Sequence, residues 1–259
     1  MAMPGFVERP MKPVGEMFAL FLDTIRFSFQ RPFQTREFID QAWFIASVTI
    51  VPTMLVAIPF GAVIALQIGQ LTAQLGAQSF TGANSVLAIV REAGPIVTAL
   101  LISGAGGSAI AADLGSRKIR DEIDAMEVLG ISPIQRLVVP RVIACVLVAA
   151  LLNGLVSVVG VMGGYFFNVV LQKGTPGAYL ASFQAFSQLP DLYVGEVKAI
   201  IFGLLAALVA SYKGLNAGGG PKGVGDAVNQ SVVITFILLF IVNFIVSSIY
   251  FQIVPVKGQ

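Results

Sequence analysis

The chain has 259 residues, of which 56% are hydrophobic and only 12% charged, and its net charge is +2. A soluble domain carries about a quarter charged residues, so this composition, with a mean hydropathy of +0.85, excludes a water-soluble globule and reads as one bundle of membrane spans. The small net charge gives no footprint for nucleic acid, and a chain with no histidine and the single Cys145 has no disulfide framework, no Cys-based metal site and no imidazole base.

Residues 1–13 are polar and Pro-containing and read as a flexible cytoplasmic N-terminus; no signal-peptide pattern is present and no segment reads as cleaved. Over 14–30, Met17, Leu20, Phe21, Ile25 and Phe29 recur at helical spacing between Glu16, Asp23, Arg26 and Gln30. The run is too short and too charged to span, which predicts an amphipathic helix in the headgroup region over 14–36. A helix packed on a soluble partner is the alternative.

A span needs about 20 mostly apolar residues. The first candidate covers 43–68, carries no charge and holds Pro52 and Pro59, which predicts a kink. The second covers 85–112 and the third 137–170, longer than one crossing requires. The fourth, 197–212, is the shortest, and the fifth covers 232–254. The outer segment 171–196 carries Tyr179, Phe183, Phe186 and Tyr193 and predicts a short surface helix. The expected fold is therefore all-α and integral to the membrane. An interfacial helix precedes about five spans over 43–254, which form one domain, and a cytoplasmic helix joins the second and third spans.

Five spans put the termini on opposite sides. With the N-terminus inside, twelve Lys and Arg side chains fall on the cytoplasmic side, Arg91 lies within a span, and only Lys173, Lys198 and Lys257 fall outside. The positive-inside rule favours this orientation in the inner (plasma) membrane, with an exterior C-terminus. No internal repeat appears, unlike many secondary transporters.

The inner loop, 111–141, is dense in charge of both signs. Ile119, Ile123, Met126 and Leu129 recur at three and four residues, and Gly130 and Pro133 follow, which predicts a short amphipathic helix. Such a helix is a solvated face or a docking element for a groove on a soluble partner. Asp124-Ala125-Met126, three residues, then Gly130 loosely matches the first half of the cytoplasmic loop pattern of ABC importer permeases. Leu137-Val138-Val139-Pro140 resembles the second half, with six intervening residues rather than nine.

The stretch 91–141 resembles the signature region of the MlaE/YrbE permease family. The matching residues are Arg-Glu-x-Gly-Pro at 91–95, Gly-Ser-Ala at 107–109, Leu114-Gly115, Glu-Ile-Asp-Ala at 122–125 and Val-x-Pro-Arg at 138–141. Weaker echoes lie at 198–203 and 219–233. Ala105 stands where many members carry arginine, a departure more similar to the A-type YrbE subunit of actinobacterial Mce systems. The resemblance implies a permease for lipid (fatty acid, sterol or phospholipid), moved across or out of the inner membrane, with import favoured. It also implies a second YrbE-type permease in a heterodimer, an ABC ATPase pair and Mce-type substrate-binding proteins. Such a chain is not itself an enzyme and holds no cofactor of its own; ATP and Mg belong to the ATPase. The coupling helix would present Arg117, Arg120, Glu122, Asp124, Ala125 and Glu127, closed by Gly130, and Arg91, Glu92, Pro95 and Lys198 would line the substrate cavity.

Read by themselves, Arg91 and Glu92 sit inside a span, where an ionisable group costs about 2.5–3.5 kcal/mol. Neighbours on a helix point about 100° apart, so the two do not neutralise each other; a wet cavity and an ion pair to another subunit both fit. Gly104 and Gly107, like Gly160 and Gly164, read as close-packing positions between helices, and neither Gly-rich run has the spacing of a nucleotide loop. An ion-coupled carrier is the competing function, disfavoured because Glu92 is the one acid in the predicted spans. A passive scaffold is the third.

Overall fold

The computed structural model describes residues 5–77 and 80–253, and all its regular structure is helical. Helix α1, Gly5–Ser28, begins within the stretch expected to be loose and ends before the predicted boundary at 36. It lies against the start of the third span and against the fourth. Leu20 and Thr24 are buried on its inner side, while Val14, Phe18, Leu22 and Ile25 remain exposed. A helix with one apolar side packed and another open suits the bilayer interface.

Five long apolar helices follow. α2 is Thr35–Gln74, α3 is Thr81–Ile119, α5 is Ile134–Leu171, α7 is Leu189–Leu215 and α8 is Gly220–Ile253. Each is long and apolar enough to cross a membrane. Two short helices stand at opposite ends of this bundle, α4 (Glu122–Val128) and α6 (Pro176–Phe186). Val254 and Lys257 lie outside the described residues.

α2 continues through Pro52 and Pro59 without interruption. α3 is not uniform, since π-helical turns occupy Ile89–Ala93 and Ile102–Gly107. Such turns insert a residue into the helical ladder and often mark functional positions. α3 stops at Ile119, and Asp121 in the turn that follows adopts a left-handed φ of 59°, a conformation Asp tolerates better than most residues. α4 closes through Gly130: the N–H of Gly130 bonds the carbonyl of Glu127 and that of Ile131 bonds Met126. This is the Schellman pattern, and it needs the positive φ that Gly130 supplies.

The closest helix pair is α2 with α5. A Cβ placed on Gly61 would come within 2.1 Å of the Gly160 carbonyl oxygen, and one on Gly163 within 3.0 Å of the Ile58 oxygen. Gly164 lies 3.3 Å from the Gly61 oxygen by the same measure. Small residues thus let two backbones touch where lipid offers no hydrophobic drive. Gly107 meets α7 at Ala210. Gly104 departs from expectation, because a Cβ there meets nothing within 4 Å; within the π-helical turn Ile102–Gly107 it is exposed, and it packs against no helix among the described residues.

Candidate functional site: a buried charged network

α7 begins at Leu189, well before the predicted start at 197. Gln188 and Asp191 form a reciprocal capping box and Pro190 occupies the first turn, where its missing N–H costs nothing. The early start draws Asp191, Glu196 and Lys198 into the bundle. Lys198, counted on the exterior side and assigned to the cavity, has a side chain only 1% exposed.

These residues meet the π-helical turn of α3 and the far end of α8. Arg91 donates from Nε to Asp191 Oδ1 at 2.6 Å, and its Nη2 lies 2.6 Å from the same oxygen as an ion pair. The Tyr250 hydroxyl donates to the same oxygen, and the Arg91 guanidinium lies 5.3 Å from the centre of its ring. Lys198 Nζ donates to Glu92 Oε1 at 2.7 Å, to the Ser247 hydroxyl at 2.8 Å and to the Arg91 carbonyl at 2.9 Å. Glu92 also accepts from Asn243 and Ser247. Glu196 accepts from Asn153 of α5.

The neighbouring charges Arg91 and Glu92 therefore do not pair with each other, as their helical spacing requires. Each finds an opposite charge on α7 of the same chain. Burying an ion costs several kcal/mol unless it is paired and hydrogen-bonded, and this network meets that condition while tying α3, α7 and α8 together. Its burial is uneven: the Asp191 side chain is 4% exposed and that of Arg91 15%, whereas that of Glu92 is 37% exposed. Pro95 sits one turn on, at the start of the regular helix Gly94–Leu101. All four residues assigned to the cavity are thus brought together, and Asp191, Tyr250, Asn243 and Ser247 join them.

A second ionic centre lies at the α4 end. Arg141, with no exposed side-chain surface, reaches Asp113 of α3 and, at 3.0 Å, Glu37 of α2, and donates to the Leu137 carbonyl. Its Nε has no hydrogen-bond partner among the described residues. Asp113 also pairs with Arg117, which reaches Glu122 of α4 at 3.6 Å. Lys118 at the end of α3 pairs with Asp124 of α4, and Arg120 in the intervening turn pairs with Glu122. Of the acids assigned to partner contact, Glu127 alone lacks an ion pair among the described residues. Val128 and Leu129 at the tip are 88% and 73% exposed.

Sequence reasoning missed Asp191, Arg141, Asp113 and Glu37. The signal for Asp191 was present as Gln188-Leu-Pro-Asp191, a helix start with proline inside its first turn. Asp191 itself and then Glu196 and Lys198 in the next turns broke the hydropathy run and hid it. Arg141 was visible only as part of a motif, since nothing local distinguishes a loop arginine from one sealed in a bundle.

A family model described as Permease MlaE matches residues 38–249. A probable ABC transporter permease protein of Synechocystis sp. is 35% identical over 74% of this chain and 73% of its own length. Another, of Rickettsia bellii, is 31% identical over 95% of both chains. A third, of Porphyra purpurea, is 29% identical over 77% of this chain and 76% of its own.

Proposed function

The chain belongs to the MlaE permease family and is an ABC transporter permease, and from that premise we propose that it moves lipid through the inner membrane on energy supplied by a separate ATPase pair. The cargo is a fatty acid, sterol or phospholipid, and the direction is import. A second YrbE-type permease completes the transmembrane part as a heterodimer, and Mce-type proteins deliver lipid at the exterior face.

The observation that carries this reading is the build of α4. A seven-residue helix at the cation-rich end exposes Val128 and Leu129 beside Glu127. Exposed apolar side chains on an otherwise charged, water-facing element mark a protein contact, and a helix of this kind fits a groove. Arg117 and Asp113 link the same helix to the long α3, whose other end bears Arg91 and Glu92. Movement of α4 by an ATPase thus has a rigid route to the charged network, and nucleotide binding would open or close a lipid path there.

The test is a tagged pull-down from native membranes in mild detergent, with partners identified by mass spectrometry. The wild type should recover an ATPase, a second permease and Mce-type proteins. Glu127→Lys with Leu129→Asp should lose the ATPase while keeping the other partners. Retention of a normally active ATPase by this variant would move the contact away from α4.

A further inference from the structure

Of the acids gathered where α3, α5 and α7 meet, Glu196 has no counter-charge. Arg91 pairs with Asp191 and Lys198 with Glu92. Glu196 of α7 forms no ion pair among the described residues and is held by a single hydrogen bond, from Asn153 Nδ2 at 3.1 Å. That bond reaches deep into the bundle, because Asn153 stands midway along the 38-residue α5. Leu192, Tyr193 and Ile200, one turn either side of Glu196, are exposed, so the half-buried carboxyl opens onto the apolar outer surface of the spans. In such surroundings an isolated carboxylate is far costlier than a neutral acid.

The residue that holds Glu196 gives a second, independent sign. Asn153 is 2% exposed, and its Oδ1 has no hydrogen-bond partner among the described residues. Two glycines bring the three helices together here. A Cβ on Gly195 of α7 would meet the Val90 carbonyl oxygen of α3 at 2.7 Å, and one on Gly94 of α3 would lie 3.2 Å from both Asn153 Oδ1 and Ser157 Oγ. A buried amide oxygen without a donor is uncommon and calls for one. An ionised Glu196 cannot supply it, since a carboxylate only accepts; it draws the N–H₂ of the amide toward itself and strands the oxygen. A carboxylic acid has an O–H to give. It donates to Oδ1 in a two-bond ring, with Nδ2 still donating to Oε1, or after a half-turn of the amide that exchanges Oδ1 with Nδ2 and turns the N–H₂ toward Ser157.

We propose that Glu196 and Asn153 form a binding site for one proton, held between the carboxyl and the amide oxygen where α7 meets α5. The ionisable groups nearby supply no alternative. Arg91, Glu92, Asp191, Lys198 and Tyr250 are bonded among themselves, Tyr193 makes no bond to Glu196, and α5 carries charge only near its other end, at Arg136 and Arg141. Water that reached the pair would take the proton as hydronium, leave a carboxylate and break the O–H bond to Asn153. The tie between α5 and α7 therefore weakens when this part of the bundle is wetted. The site needs neither ATPase nor lipid, and it stands or falls independently of the transport reading.

The experiment is infrared difference spectroscopy of the full chain, purified from its native membrane with its partners and again alone. At neutral pH both samples should show the carbonyl stretch of a protonated carboxylic acid. Glu196→Gln should remove that band, and Asn153→Leu should move it to higher frequency as the hydrogen bonds to the acid are lost. Glu196→Gln should also keep the wild-type thermal midpoint, because the new amide donates to Asn153 as the acid does. Absence of the band from both samples, or its survival at full strength in Glu196→Gln, would overturn the proposal. A band present in the chain alone and absent from the complex would mean that a cation on a partner takes the place of the proton, and would overturn the site for the assembled protein. The spectrum reads the carboxyl itself, so failure here and failure of the permease reading remain distinguishable.

Discussion

Lys198 supplies a donor where Pro95 has none. In a regular helix the carbonyl of Arg91 accepts from the N–H four residues on, but position 95 is proline; the ammonium of Lys198, from another helix, donates to that carbonyl at 2.9 Å. The same ammonium neutralises Glu92, so one buried cation serves both a broken backbone ladder and a charge. The π-helical turn that precedes Pro95, the buried lysine and the acid therefore form one unit.

Removing Lys198 leaves Glu92 without its counter-charge; breaking a fully buried pair costs about 3–5 kcal/mol, and the 37% exposure of the Glu92 side chain puts this one at or below the lower end of that range. Lys198→Met should sharply lower the thermal midpoint of the purified protein in detergent. Adding Glu92→Gln to it should recover a large part, giving a coupling of about 1–3 kcal/mol in a double-mutant cycle. Pro95→Ala, which returns an N–H to the ladder, should make Lys198→Met less damaging. Strict additivity of all three substitutions would show that the contacts carry no shared energy.

The long apolar runs made the spans legible, because bilayer thickness translates directly into a stretch of residues without charge. The loop helix was legible through its three-and-four spacing and through Gly130. The start of α7 was missed: Asp191, Glu196 and Lys198 look like loop residues until α3, α5 and α8 provide the partners that let them enter the bundle. The helix start is written in Gln188-Leu-Pro-Asp191, but that these charges have partners inside the bundle is tertiary information, absent from any window of sequence around 190–198. The same pairing removed Lys198 from the exterior charge count, leaving Lys173 as the described cation assigned to that side. It also shows that the acids within spans extend beyond Glu92.

The glycines divide by what surrounds them. Gly61→Ala would drive a Cβ into the Gly160 carbonyl at 2.1 Å, backbone against backbone, so α2 and α5 must separate. Overpacking of this kind costs about 1–3 kcal/mol or more, and the variant should show a lowered midpoint and aggregate on size-exclusion chromatography. Gly104→Ala meets nothing within 4 Å and should behave as wild type in the isolated chain. A wild-type midpoint for Gly61→Ala would mean that the two helices are farther apart than described.

Orientation can be read by thiol labelling. Cys145 is the only cysteine and is buried, so Cys145→Ala gives a clean background. Glu127→Cys on α4 and Lys173→Cys at the opposite end are both exposed positions. A membrane-impermeant maleimide should label the first in inside-out vesicles and the second in right-side-out ones, as the cation asymmetry requires. The reverse pattern would turn the whole topology over and place α4 beyond the reach of a cytoplasmic ATPase.

Arg141 offers the sharpest test of how the α4 end is held. Its guanidinium has no exposed surface and joins Asp113 on α3 to Glu37 on α2, so two acids share one cation, and Asp113 also contacts Arg117. The two acids are not equivalent: Asp113 remains partnered by Arg117 if Arg141 is lost, whereas Glu37 keeps only a weak amide contact with Gln41 at 3.3 Å. Glu37→Gln should therefore be mild, about 1 kcal/mol or less, since Asp113 still balances the arginine. Asp113→Asn should cost more, because it removes the acid from both arginines at once. Arg141→Met should be intermediate in stability, a buried cation being replaced by an apolar chain of similar length, but it should free α2 from α3. Hydrogen exchange at the first turns of α2 would report that release as faster exchange in Arg141→Met than in Glu37→Gln. Equal protection in both variants would show that packing alone fixes the start of α2, with the ion pairs contributing nothing to its position.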